Sequence, residues 1–133
     1  MPQFKIVREY LDAFHIPYLE YDEIEADDII GSLSKKYQDV QVDILTSDRD
    51  LLQLIDDTTR VYLMKKGLSD MQMMDQKALK ETYGLSPKQV IDLKALMGDS
   101  SDNIKGVEGI GPKTAEKFLA QYDNVENLYK HLD

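Results

Sequence analysis

Apolar residues recur at helical spacing at the start of the chain. Phe4, Val7, Leu11 and Phe14 share one face and Ile6 and Tyr10 widen the stripe, which predicts an amphipathic helix over 3–14. His15 and Pro17 end it, and the β-rich segment Ile16 to Tyr21 reads as extended. A second helix opens at Glu23-Ile24-Glu25-Ala26-Asp27-Asp28 and runs to about Tyr37. The period then changes. Val40 to Thr46 is β-branched and mostly apolar, as a strand buried on both faces should be, and a helical Leu51-Leu52-Gln53-Leu54-Ile55 follows it. Val61 to Met64 and Met71 to Met74 predict a hairpin around the turn 65–70, its methionines serving as core filler rather than ligands.

From there the pattern is helical. Asp75 caps a helix over 76–83 that Gly84 stops, and Ser86-Pro87 opens another that runs to Gly98. Closing helices are predicted over 113–121 and 125–132. No internal repeat, low-complexity tract or long linker interrupts this order. The expectation is an α/β sheet layer over 1–74 carrying a helical lobe over 75–133.

Composition narrows the picture. A chain of 133 residues can bury one core, and with no cysteine it has no disulfide or thiolate metal site, in keeping with a reducing cytoplasm. No run approaches the roughly 20 apolar residues of a membrane span. The net charge of −9, from 16 basic and 25 acidic residues, runs against the usual basic footprint of a nucleic-acid binder. Where the carboxylates sit matters more than their number. His15 and His131 have no partner at ligand spacing and read as loop or packing residues.

Three acidic groups stand out. Glu23, Glu25, Asp27 and Asp28 lead into an apolar helix face, although like charges about 4 Å apart repel by roughly 4 kcal/mol at an effective dielectric near 20. Capping explains one or two of them; a divalent cation would turn the remaining repulsion into coordination. Asp48 and Asp50 lie just past the carboxyl end of the best strand, where open α/β sheets place their sites, although one of them would suffice as a cap. Asp99 and Asp102 follow a helix terminus, where turn residues are also common. Next to them runs Gly109-Ile110-Gly111-Pro112-Lys113-Thr114, a sharp turn leading into an exposed helix N-terminus. Lys113 and Lys117 lie one helical turn apart, able to reach successive phosphates, and Thr114 adds a hydroxyl; a purely structural helix-turn-helix is the alternative.

Four stretches together resemble the bacterial 5′→3′ exonuclease and flap endonuclease family, which includes the N-terminal domain of DNA polymerase I and stand-alone exonucleases. They are Glu25 to Asp28, Thr46 to Leu54, Leu96 to Asn103 and Gly106 to Ala115, in family order across nearly the whole chain. The resemblance implies a partial PIN-like parallel sheet with a helix-three-turn-helix lobe, a helix-hairpin-helix-like DNA-binding element. It implies a divalent-metal cluster, Mg2+ or Mn2+ in a two-metal site, at Glu25, Asp27, Asp28, Asp48, Asp50, Asp99 and Asp102, with Asp27, Asp48 and Asp50 in the catalytic role. It implies a grip on duplex DNA by Lys105, Gly106, Gly109, Gly111, Lys113, Thr114 and Lys117, commonly with a bound K+. The implied function is hydrolysis of DNA at 5′ flaps and branched duplexes in replication and repair.

Members of that family begin with a strand carrying a metal-binding aspartate, then a second aspartate and a basic arch, which this sequence does not contain. The expectation is therefore a fragment lacking an N-terminal segment, or one fused to a polymerase, with an incomplete metal site and little activity alone. An uncovered sheet edge or apolar face is expected with it. A non-catalytic duplex-DNA-binding module and a fragment with solubilising carboxylates are the two other readings.

Overall fold

A computed structural model describes residues 2–66 and 69–132. Gly67 and Leu68, in the turn predicted over 65–70, lie outside the described residues. Helix α1 (Pro2–Ala13) is followed by α2 (Ala26–Lys36), β1 (Val42–Thr46), a 3-10 helix (Asp50–Leu54), β2 (Thr59–Met64) and β3 (Met71–Met74). Helices α3 (Gln76–Tyr83), α4 (Pro87–Met97), α5 (Pro112–Tyr122) and α6 (Val125–Tyr129) complete the order.

Local chemistry fixes most of the boundaries. Asp75 accepts a hydrogen bond from the Ala78 amide at 2.7 Å to start α3, and Gly84 stops it at φ 70°. Ser86 and Gln89 form a reciprocal capping box with Pro87 at the first helical position of α4. His15 ends α1 in the left-handed conformation (φ 55°), with Ile16 N donating to Leu11 O and His15 N to Asp12 O in a Schellman arrangement. Ile16 to Tyr21, expected to be extended, forms no strand.

The sheet order is β1-β2-β3, with β1 and β2 parallel (Val42 opposite Thr59, Thr46 opposite Leu63) and β3 antiparallel to β2 (Met74 opposite Val61). One face is dry: Ile44, Val61, Leu63 and Met74 pack with Leu51, Leu52 and Ile55, Leu79 of α3 and Val90 of α4. A second cluster joins Leu85, Leu96, Ala115 and Leu119. Full burial of such a side chain is worth about 1.5–3 kcal/mol, so these clusters hold the fold. Helix α4 contributes to both, through Val90 and Leu96.

The opposite sheet face is open, which corrects the expectation that the Val40 to Thr46 strand is buried on both sides. Leu45 is 56% exposed because its sheet face has no covering element among the described residues; β1 is also an edge strand, which leaves one side of its backbone unpaired there. The same open face leaves Met71 and Met73 exposed, so only Met74 of the β3 methionines fills the core as expected. The α1 stripe of Phe4, Val7, Tyr10 and Phe14 also faces outward. Among the described residues β1 is thus an edge strand and an apolar face lies uncovered, where a sheet edge or an apolar face was expected.

Candidate metal centre and nucleic-acid interface

The turn after β1 is built to project carboxylates. Thr46 Oγ1 accepts from the Asp48 amide and Asp48 Oδ1 accepts from the Asp50 amide, both at 2.9 Å, so the chain bends at once into the 3-10 helix with Asp50 half-buried at its start. A second loop meets it from α4. Asp99 and Ile104 exchange backbone hydrogen bonds of 2.9 and 2.8 Å, and Asn103 takes the left-handed conformation (φ 56°) that closes the loop. Within it, Asp99 accepts from the Ser101 amide at 2.8 Å and from the Ser101 hydroxyl. The outcome is convergence: Asp50, Asp99 and Asp102 each offer an oxygen within 4.8 Å of the others.

Lys94 stands among these three carboxylates. Its Nζ contacts Asp50 Oδ2, lies 2.5 Å from Asp99 Oδ2 and 3.1 Å from Asp102 Oδ2, and its side chain is only 18% exposed. Burial works against its charge, but hydrogen bonds to Asp50, Asp99 and Asp102 outweigh burial and raise it above the ordinary lysine range. The bond from Lys94, then those from Ser101, hold the Asp99 carboxyl well below the usual carboxylate range. The sequence reading missed Lys94. A lone cation in the apolar last turns of α4, just before two aspartates, was the available signal, and a helix C-terminus also favours a positive charge.

Asp27 faces the same centre from α2. Burial first, then the charges of Asp48, Asp50, Asp28 and Asp102, raise its carboxyl above the ordinary value. Asp27 and Asp28 line a cleft of about 520 Å³ with Gly31, Lys35, Asp50 and Leu54. Glu25 occupies the N-cap position of α2 without a capping hydrogen bond, in extended conformation. Asp27, Asp28 and Asp48 thus lie near the convergent trio while Glu25 stays at the start of α2, and only Asp50, Asp99 and Asp102 reach common ligand distance among the described residues.

Beyond the loop the chain carries the other predicted residues. A Cβ on Gly106 would lie 2.3 Å from Gly98 N and 2.3 Å from Met97 C, so Gly106 lets two backbone segments cross rather than standing free. Val107 N then donates to Leu96 O at 2.9 Å. Gly109 turns the chain at φ 80°, and Gly111 caps α5 in extended backbone; a Cβ on either would meet nothing within 4 Å. No internal contact demands glycine at 111, unlike 106. Lys105, Lys113, Thr114 and Lys117 are exposed, and the three lysines form no ion pair among the described residues. His131 packs on Tyr122, its ring Nδ1 2.8 Å from Asn127 O, a packing role as expected.

Comparisons with known proteins cover the whole chain. Residues 1–84 match the family model of the 5'-3' exonuclease N-terminal resolvase-like domain, and residues 85–133 that of the 5'-3' exonuclease C-terminal SAM fold. DNA polymerase I of Bacillus subtilis (strain 168) is 47% identical over 133 residues, covering 98% of this chain and 15% of that protein. A 5'-3' exonuclease of Mycoplasma pneumoniae is 43% identical over 134 residues, covering 98% of this chain and 46% of its own length. Among solved structures, T5 5'-exonuclease with bound divalent zinc ions superimposes with a TM-score of 0.81 at 26% identity, over 97% of this chain and 48% of that one. A bacteriophage T5 flap endonuclease in a pseudo-enzyme-product complex with DNA and metal ions gives 0.77 at 26% identity, over 92% and 45%. The chain spans less than half the length of each of these proteins. No described helix is long and apolar enough to cross a membrane.

Proposed function

The chain belongs to the 5'-3' exonuclease family, and from that premise we propose that it forms part of a divalent-metal-dependent nuclease that hydrolyses DNA phosphodiesters at 5′ ends and flaps. The activity proposed is that of the longer nuclease. To it these residues contribute an acidic centre and a grip on the duplex behind it. The observation that carries the proposal is the convergence of Asp50, Asp99 and Asp102 within 4.8 Å, directly before a turn whose flanking lysines form no ion pair among the described residues.

The donor set suits a hard divalent ion such as Mg2+ or Mn2+, which takes carboxylate oxygens and keeps several waters. Lys94 supports that fit, because a cation already stabilises the same three oxygens. Asp50, Asp99 and Asp102 would hold one ion, with Asp27 and Asp48 beside them, Asp28 lining the adjoining cleft and Glu25 at the start of α2. Ions bound there supply activation of water and stabilisation of the leaving oxygen. The protein's own part is positioning: Thr46 and Asp48 set the Asp50 turn, and Ser101 fixes Asp99. The Val107–Gly111 turn and the start of α5 hold duplex backbone through exposed amides, Thr114, Lys105, Lys113 and Lys117, with Gly111 allowing close approach and K+ as an accessory ion.

A duplex-binding module without catalysis is the second reading, favoured by the unpaired lysines. Mn2+ binding, 5′-flap cleavage and duplex binding, measured on the longer nuclease carrying Asp50→Asn and Asp99→Asn together, separate the two. The proposal expects weakened Mn2+ binding and at least about 100-fold slower cleavage with duplex binding kept. Unchanged cleavage overturns the assignment of the centre.

A further inference from the structure

We propose that Lys94 is the resident counter-ion of the acidic centre, keeping Asp50, Asp99 and Asp102 assembled when no metal is bound and giving up its place when a divalent cation enters. The inference rests on the metal part of the proposed function and adds the device that governs it.

Geometry carries it. One ammonium group reaches all three carboxylates, two of them at 2.5 and 3.1 Å, so it occupies the space between the oxygens that a metal would need. Those oxygens lie within 4.8 Å of one another, too close for an ammonium and a divalent ion to sit among them together. Three carboxylates brought this near without a cation would repel, so the metal-free loop depends on the lysine. The lysine also has room to leave. A pocket of about 320 Å³ lined by Asp50, Gln53, Ile91, Asp102 and Ile104 opens beside it, and a four-carbon stem can swing there without moving α4. Metal entry is then an exchange of one cation for another, and affinity is set by the difference between them. Lys94 acts as a positioning residue through the carboxylates it holds.

The test compares Mn2+ binding by calorimetry and thermal melting for the full chain, Lys94→Met and Lys94→Arg. Lys94→Met removes the charge while keeping the stem. It should bind Mn2+ about tenfold more tightly, melt lower without metal and recover on adding Mn2+. Lys94→Arg keeps the charge and should stay within about threefold of the unaltered chain. Equal or weaker binding by Lys94→Met, while the unaltered chain binds Mn2+, overturns the counter-ion role and leaves the metal centre standing. No Mn2+ binding by any of the three overturns the metal centre as well. A second measurement needs no variant: acylation of lysine amines, mapped by mass spectrometry with and without saturating Mg2+. Labelling of Lys94 should rise several-fold with the ion while Lys113 stays constant as a reference. Unchanged Lys94 labelling overturns the exchange.

Discussion

Two neighbouring segments of similar length behave in opposite ways. The loop from Gly98 to Gly106 is closed on itself: its backbones cross at the two glycines, Asp99 pairs with Ile104, and its aspartates share one lysine. From Val107 to Lys117 the chain is more open: a Cβ on Gly111 would meet nothing within 4 Å, and Lys113 and Lys117 form no ion pair among the described residues. Glycine recurs in both with different duties. In the first it lets two backbones cross beside aspartates that hold Lys94 of α4, whereas Gly111, Lys113 and Lys117 of the second leave room for something outside the protein.

The sharpest way to break that contrast is to give both segments a Cβ. Gly106→Ala must push apart the Met97-Gly98 backbone and should cost about 3 kcal/mol or more, read as a lower urea midpoint. Gly111→Ala should cost less than about 1 kcal/mol, with its effect appearing in duplex affinity instead. Similar stability losses at both positions would erase the distinction.

A second probe asks whether internal carboxylates of the closed kind hold the fold away from any candidate ligand. Asp56 accepts from the Thr58 amide and hydroxyl and the Thr59 amide, and pairs with Lys35 at 3.0 Å. Burial opposes its charge, but the bonds from Lys35, Thr58 and Thr59 prevail and lower its pKa to about 2. A depressed folded value means the contribution is complete above the unfolded value near 4 and is lost as pH falls from there towards 2. Asp56→Asn should therefore cost about 1–2 kcal/mol at pH 7 and close to nothing at pH 2, measured by urea unfolding at both.

The smallest stability effect belongs to the open side. Lys113→Ala and Lys117→Ala should each move stability by less than about 0.5 kcal/mol, yet lower the slope of log affinity against log salt for duplex DNA by about one. A stability loss without a change in slope would make them internal residues like Lys94.

Much of the fold was legible because helix ends carry local chemistry. Asp75, Ser86-Pro87, Gly84 and His15 each mark a boundary through bonds to neighbours within a few residues. The family resemblance pointed to seven acidic positions, of which Asp50, Asp99 and Asp102 converge. What was not legible depends on partners distant in sequence. Lys94 meets Asp50 across 44 residues, and its local setting, a single cation near a helix end before two aspartates, suits helix capping as well as an ion pair. Gly106 resembles Gly111 in sequence, and only the crossing against Met97 separates their duties. The open face of β1 was hidden for the converse reason. Its apolar composition describes a strand with two neighbours and two covers, and the described residues supply one of each.

The spare carbonyls of the last turn of α4 accept from both ends of the acidic loop: Lys94 O accepts from Gly98 N at 2.8 Å and Leu96 O from Val107 N, just past the loop, at 2.9 Å. Two of the bonds that seat the loop therefore depend on that turn, and fraying of it would loosen the carboxylates. Any cation that rewards the convergence also rewards the helix beneath it, so part of the free energy of ion binding is stored as resistance to unraveling of α4.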